Sequence, residues 1–518
     1  MLSGLPVDLL PALTVYLLIG GAFTSILLRV LGVKTIVTLI YGSLFLVFTA
    51  AASIVVYIEA GKRILLYTLG GFTPLVGISY EVDLFSASIG LVVALLSLLI
   101  YPLLKYFTPG LNEYGVALYL GLIAGLLGVT YTGDVFNSFV MLEVLTISML
   151  GLLALKGDIK AYFASLRYGL LVFVTGLVYF LGATLLYFAV GALNMGYLAL
   201  WSIDPRFIIG RAEYSVLPVE TAVLFPLILM TWSLIAEEAL APLHFWLPDA
   251  YSSAPPAVAG LLAGVAEAVG YYLLLRLYYT VYSTIPSEVA LLLRLAGIAS
   301  ILVGGFGLIY SKRLLKMISY SVILDTGYIA IASSLSEAGV GVVLSYVVAH
   351  AVVKPLLFIS SGWAAYTRGG DSLDELKGVF RGSRVMQLGF TTGALAVIGI
   401  PPTILFSAKL ELYSVLLNYI SGDPTLILSL IVALLGSGLA LAGFIKAVSA
   451  TILAYDSEST KPDGLIKAYT LLFTLLVLAL GVAYMPLRDG FIEPASSALI
   501  HGRLNYVLEA FKAIIGGG

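Results

Sequence analysis

The chain has no cysteine, only three histidines in 518 residues, and only 11% charged side chains. Without cysteine it can form no disulfide, hold no thiolate-ligated iron–sulfur cluster and attach no c-type haem, so no cofactor is expected in it. Any redox centres belong to partner subunits. His244 and His350 stand far apart with no ligand-spaced neighbour, and His501 reads as a surface group, so neither a metal site nor catalytic chemistry is expected. No phosphate-loop or dinucleotide fingerprint is present, which argues against ATP hydrolysis. The 27 Lys and Arg against 29 Asp and Glu give a net charge of −2, which excludes a broad basic surface for nucleic acid.

What remains is apolar. Hydrophobic residues make up 60% of the chain, too much for a water-soluble surface. Runs of 18 or more apolar residues recur along its length, each long enough to cross about 30 Å of hydrocarbon. The fold class expected is an all-α polytopic membrane protein with about 14 transmembrane helices. They are placed near residues 8–32, 35–59, 84–107, 115–131, 133–155, 161–193, 219–249, 254–283, 287–311, 317–335, 338–364, 386–417, 424–451 and 465–486. Gly and Pro interrupt 62–82, which reads as an extramembrane hairpin. The tail after 487 reads as a short amphipathic helix. The opening MLSGLPVDLL lacks a basic stretch and begins a retained helix, not a cleaved signal. About 15 Lys and Arg fall at helix ends on one side against roughly nine on the other, which predicts both termini outside the cytoplasmic membrane of a prokaryote.

Two helices carry proline deep inside an apolar run, at Ala241-Pro242 to Pro248-Asp249 and at Gly399-Ile400-Pro401-Pro402. Proline removes a backbone donor, so both helices are expected to be broken. Each reads as the third in a run of five, the pattern of an inverted repeat in a secondary transporter. The division expected is 1–110, an N-terminal three-helix segment; 111–283 and 284–451, the two repeats; and 452–518, the last helix and tail. Ionisable groups inside these runs are expensive in lipid and therefore point to ion movement. They are Glu143, Glu237, Glu267, His350, Lys354 and Lys409, with Glu238, His244, Asp325, Glu411 and Lys446 as accessories. Their placement echoes the repeat: Glu143 and Asp325 in second helices, Glu237 and Lys409 at breaks, Glu267 and Lys446 in fifth helices. His350 and Lys354 share a helical face and could pass a proton directly or through one water.

Several strings together carry a resemblance. Gly133-Asp134-Val-Phe-Asn-Ser-Phe-Val-Met-Leu-Glu143, Pro242-Leu-His244-Phe-Trp246-Leu-Pro248-Asp249-Ala250 and His350-Ala-Val-Val-Lys354-Pro-Leu-Leu-Phe358 resemble the antiporter-like subunits of respiratory complex I and Mrp-type cation/proton antiporters. Lys312-Arg313 leading to Ile318-Ser-Tyr320-Ser321 and Gly327-Tyr328, and Gly399-Ile-Pro401-Pro402 leading to Phe406-Ser407-Ala408-Lys409, match as well, so the likeness spans about 84–450. It implies 14 helices, two inverted five-helix repeats, and broken seventh and twelfth helices. The short end after the last helix is similar to the shorter type found in membrane-bound hydrogenase-like complexes.

The chain departs from that family at two places where it usually has lysine, now Glu237 and Glu267. Glu143, Glu237, Glu238 and Glu267 cannot all be ionised in a low-dielectric interior, so this half either holds protons, binds Na⁺ at Glu143, Glu237 and Glu267, or meets a basic residue from a neighbour. The function expected is a proton- or sodium-translocating subunit of a redox-driven complex, with other membrane subunits and a peripheral redox arm as partners. The alternatives are a subunit of a stand-alone Mrp-type Na⁺/H⁺ antiporter and a structural membrane subunit with a degenerated ion path.

Overall fold

The computed structural model describes residues 6–203, 218–455 and 461–515; the first five residues of the opening segment and the last three of the tail lie outside these. The helices follow one another as α1 Leu10–Val30, α2 Thr35–Ala60, α3 Leu84–Phe107, α4 Glu113–Tyr131, α5 Val135–Ala154, α6 Ile159–Val190, α7 Val219–Glu237, α8 Leu247–Ser253, α9 Pro256–Arg276, α10 Ser287–Tyr310, α11 Leu314–Ser333, α12 Glu337–Arg368, α13 Arg384–Ile398, α14 Ile404–Tyr419, α15 Thr425–Val448 and α16 Gly464–Val482. Two tail helices, α17 Glu493–Ile500 and α18 Arg503–Ile515, complete the chain. Among the described residues 13 helices are long and apolar enough to cross a bilayer, and α13 is a shorter apolar one. The chain is a multi-pass, all-α membrane protein.

Polar residues at the loops set where these helices begin. Asp83, Asn112, Asp134, Asp158, Ser383 and Asp463 each accept a first-turn backbone N–H, satisfying a donor that the helix itself leaves free. The segment expected as a hairpin pairs β1 Leu65–Thr68 antiparallel with β2 Ser79–Val82, Leu65 opposite Val82. The hairpin, both tail helices and the chain's beginning share one face of the bundle.

Helices α4–α9 and α10–α15 repeat one order: two helices, a 32-residue helix, an interrupted helix and a closing helix. The first two helices of each run meet alike. Gly125 on α4 lies against Leu145 on α5, and Gly304 on α10 against Leu324 on α11. A Cβ at either glycine would lie 2.8 or 2.7 Å from the leucine Cα, which only glycine allows. The broken helix is the fourth of each run, not the third as expected from sequence, because the long third helices α6 and α12 are continuous.

The two breaks are built alike. A left-handed residue follows the first half-helix, Ala239 at φ 51° and Gly399 at φ 90°, and two residues later comes a cis X-Pro bond, Ala241-Pro242 or Pro401-Pro402. Freed backbone groups find side chains: Ala241 N–H donates to Ser300 Oγ at 2.8 Å, and Trp246 Nε1 donates to the Ala236 carbonyl at 3.0 Å. Helices α9 and α12 pack on one another at the centre of the molecule, while α6 and α16 present mostly lipid-facing apolar residues.

Candidate ion-translocation site

In the first half, the end of α7 turns two carboxylates inward. Glu237 accepts a long hydrogen bond from Tyr168 Oη of α6, at 3.4 Å. Glu238 is completely buried and neither of its oxygens has a hydrogen-bond partner. Glu267 on α9, 2% exposed, accepts from Tyr251 Oη of α8 at 2.8 Å, while its second oxygen is unpartnered. Tyr168, Trp246, Tyr251, Glu237 and Glu238 line an enclosed cavity of about 20 Å³, room for a single water molecule. Tyrosine hydroxyls, not cations, are thus the partners of Glu237 and Glu267.

Glu143 stands apart from that cavity. It lies on the outer side of α5, partly exposed beside lipid-facing Ile147, Phe173 and Leu177, and Gly176 of α6 leaves the space its carboxylate occupies. Among the described residues Glu143 makes no hydrogen bond or ion pair, and no group of three or more His, Asp or Glu converges as a metal site. The second-half counterpart named from sequence, Asp325, is not equivalent in position. Measured from Leu145 and Leu324, Glu143 is two residues before and Asp325 one residue after, close to a full helical turn apart.

The second half is a paired site. Lys354 Nζ donates to Asp325 Oδ2 at 2.6 Å, with both side chains at 0% exposure, and also to the carbonyl and hydroxyl of Ser321, at 3.0 and 3.2 Å. His350 Nε2 lies 3.6 Å from the same Asp325 oxygen, too long for a hydrogen bond. Asp325 therefore sits between the two residues that sequence spacing suggested could exchange a proton, and it is central where it was expected to be an accessory. Lys354 stands on α12, which packs against α9 bearing Glu267, so the two halves meet along these helices.

Lys409 belongs to α14, after the break. Its Nζ donates to the Val397 carbonyl at 2.7 Å and to Ser437 Oγ at 3.2 Å, and lies 4.4 Å from the centroid of the Tyr328 ring. The Val397 carbonyl is one the break frees, so the ammonium caps the end of α13. Counting from the left-handed residues, Lys409 corresponds to Asp249 and not to Glu237, whose counterpart is Val397. A cavity of about 320 Å³ bounded by Lys409, Tyr413 and Ser437 opens sideways past exposed Leu410 and Leu434.

The accessory residues disperse. Glu411 accepts from Ser345 Oγ at 3.0 Å and from the Tyr484 hydroxyl, and pairs with Arg488 at 3.3 Å beside an open cavity of about 660 Å³. Lys446 donates to the carbonyls of Ile309 and Ser311, at the end of α10, off the buried line. His244 is half-buried in the break with Nδ1 unpartnered. Asp249 binds Arg167 of α6 and, at 2.7 Å, Lys316 of α11, which clamps α8 between the two halves.

Sequence reading missed the buried pair of Arg276 and Asp83, 2.6 Å apart, and the neighbouring Glu81. A charge inside the apolar run 254–283 was the available signal. Among 33 tyrosines no local signal distinguishes Tyr168, Tyr251 and Tyr328.

Comparison with known proteins agrees with this geometry. Residues 132–444 match the family described as NADH:quinone oxidoreductase/Mrp antiporter, transmembrane. The NADH-quinone oxidoreductase subunit N of Desulforudis audaxviator is 32% identical over 352 residues, 66% of this chain and 67% of that one. A chain of the membrane-bound sulfane sulfur reductase, an archaeal respiratory membrane complex, is 25% identical and superimposes with a TM-score of 0.86 over 96% of this chain and 99% of that one. A chain of the Mrp complex from Dietzia sp., 22% identical, shares the fold at a TM-score of 0.84, covering 97% and 99%. The chain belongs to the NADH:quinone oxidoreductase/Mrp antiporter family as one of its antiporter-like, ion-translocating membrane subunits.

Proposed function

We propose that this subunit moves protons, rather than sodium ions, within a redox-driven respiratory complex. The observation that carries the reading is the set Glu237, Glu238, Glu267, Lys354, Asp325, His350 and Lys409, all but Glu237 fully buried, drawn from both halves and borne in part by α9 and α12, which pack together at the centre. Intramembrane ionisable groups are expensive, and this chain buries a set of them in sequence around its two helix breaks. Hard cations take several converging oxygens, whereas Glu237 and Glu267 each meet a single tyrosine hydroxyl and Glu237 and Glu238 line a one-water cavity, which suits proton transfer.

Redox drive is supported by the relatives, which by name are a quinone oxidoreductase subunit and a sulfur reductase of a respiratory membrane complex. In this reading the partners are further membrane subunits and a peripheral arm holding the redox centres. The repeats are 111–283 and 284–451, and the face bearing the termini lies outside a prokaryotic cytoplasmic membrane. Glu143, outward and unpaired, meets a cationic or hydrogen-bonding group of a neighbouring subunit.

The test is proton uptake by vesicles containing the purified assembly, with and without sodium. Uptake is expected to proceed without sodium and to lose this subunit's share in Lys409→Met. Strictly sodium-dependent uptake would favour the stand-alone Mrp-type antiporter, and native uptake in Lys409→Met would favour a structural role.

A further inference from the structure

A second polar cluster lies outside the line above, enclosed by the hairpin, the start of α3, the end of α9 and tail helix α18. Arg276 Nη2 donates to Asp83 Oδ1 at 2.6 Å and to Ser86 Oγ at 2.9 Å. Ser86 Oγ is 2.8 Å from Tyr272 Oη, which donates to the Thr130 carbonyl at 2.7 Å. Beside this pair, in which Arg276 Nε has no partner, stands Glu81 of β2, at 0% exposure, with neither carboxylate oxygen hydrogen-bonded. The neighbouring amide of Asn194 gives one of its two hydrogens to Ser79 Oγ at 2.7 Å and acts on Glu81 with the other. Gly133 and Gly196 leave the space that Glu81 Oε2 fills; a Cβ at either would lie 3.1 or 3.5 Å from it.

The tail closes this cluster. Tyr506 of α18 donates to the Glu81 backbone carbonyl at 3.4 Å, and its ring centroid is 4.9 Å from the Arg276 guanidinium. The charged and titratable groups acting on Glu81 from surrounding elements are Arg276, Asp83 and Glu509, and Glu81 in turn acts on Tyr506. A carboxylate kept for architecture is paired at this depth. Glu81 is not, because Arg276 is committed to Asp83. Burial pushes the Glu81 carboxyl well above its ordinary range, against the pull of Arg276.

We infer that Glu81 is a proton-exchange site joining the first half to the face that bears the hairpin and tail. This rests on the proton reading above. The acid keeps its proton while α18 covers it. When the tail lifts and water enters, the O–H bond breaks, the proton passes to that water, and Arg276 balances the carboxylate left behind through its free Nε while Nη2 stays on Asp83. Arg276 lies nine residues beyond Glu267 on the same helix, roughly 13 Å along its axis, so the site stands between the central acids and that surface.

The test uses the whole assembly in vesicles, carrying Glu81→Gln or Glu81→Asp, with Lys409→Met alongside. Glu81→Gln is expected to slow proton translocation at least fivefold and to remove a protonated-carboxyl band from the turnover infrared difference spectrum. Glu81→Asp is expected to retain translocation with a shifted pH profile, and it decides the matter should the Gln variant not assemble: an unshifted profile overturns the site. Native translocation in Glu81→Gln with loss in Lys409→Met overturns this site alone. Native rates in both overturn the reading beneath it.

Discussion

The two halves share one backbone plan and hold opposite chemistry. The first sets Glu237 and Glu238 on a one-water cavity with Glu267 held behind its Tyr251 wall, and tyrosine hydroxyls are the partners of Glu237 and Glu267. The second holds a closed ion pair, Asp325 with Lys354, and a lysine capping a broken helix. An acid that meets only hydroxyls is cheapest when neutral, whereas a buried ion pair is stable only while both charges remain. One half therefore rests neutral and meets a desolvation cost whenever it ionises, and the other changes only if Lys354 or Asp325 finds another partner. The regimes meet where α12, which carries Lys354, packs on α9, which carries Glu267.

Removing one polar partner in each half separates these regimes most sharply. Asp325→Asn leaves Lys354 buried without its counterion and is expected to destabilise the subunit by about 3–5 kcal/mol. Thermal unfolding of the detergent-solubilised assembly measures this, and Asp325→Asn with Lys354→Met should recover most of the loss. In the first half, Tyr251→Phe takes the hydrogen bond from Glu267 and is expected to cost about 1–3 kcal/mol in the same assay. Equal losses in Tyr251→Phe and Asp325→Asn would erase the contrast.

The breaks allow a finer comparison. Gly399→Ala forces a side chain into the left-handed region and is expected to cost about 1–2 kcal/mol, while Ala239→Gly relieves the same strain and raises stability. The smallest effect is expected for Glu238→Gln, within about 1 kcal/mol of the native subunit, because no ion pair or hydrogen bond is lost. A drop like that of Asp325→Asn would mean that Glu238 is ionised and paired in the assembly.

Much of the architecture was legible because lipid permits few backbone solutions. Run length placed the helices, Gly and Pro placed the hairpin at 62–82, and proline placed both breaks. The registers between halves were less legible. Glu237 and Lys409 both lie near breaks, yet one precedes and the other follows the left-handed residue, a distinction no composition signal carries. Glu143 and Asp325 share a helix number but stand three residues apart in register, most of a turn along the axis, with one partly exposed and the other fully buried. Asp325 was undervalued because its partners come from another helix. Arg276 and Glu81 went unnoticed because their cluster assembles a hairpin, two helices and the tail.

The central claim is that the two unlike halves form one proton path in series. Protons released per turnover by the reconstituted assembly should be counted for Glu267→Gln, Lys409→Met and the double variant. A series path predicts that each single variant removes the same share and that the double variant loses no more. A double variant that loses the sum of two separate shares would contradict it and establish two independent routes through the subunit.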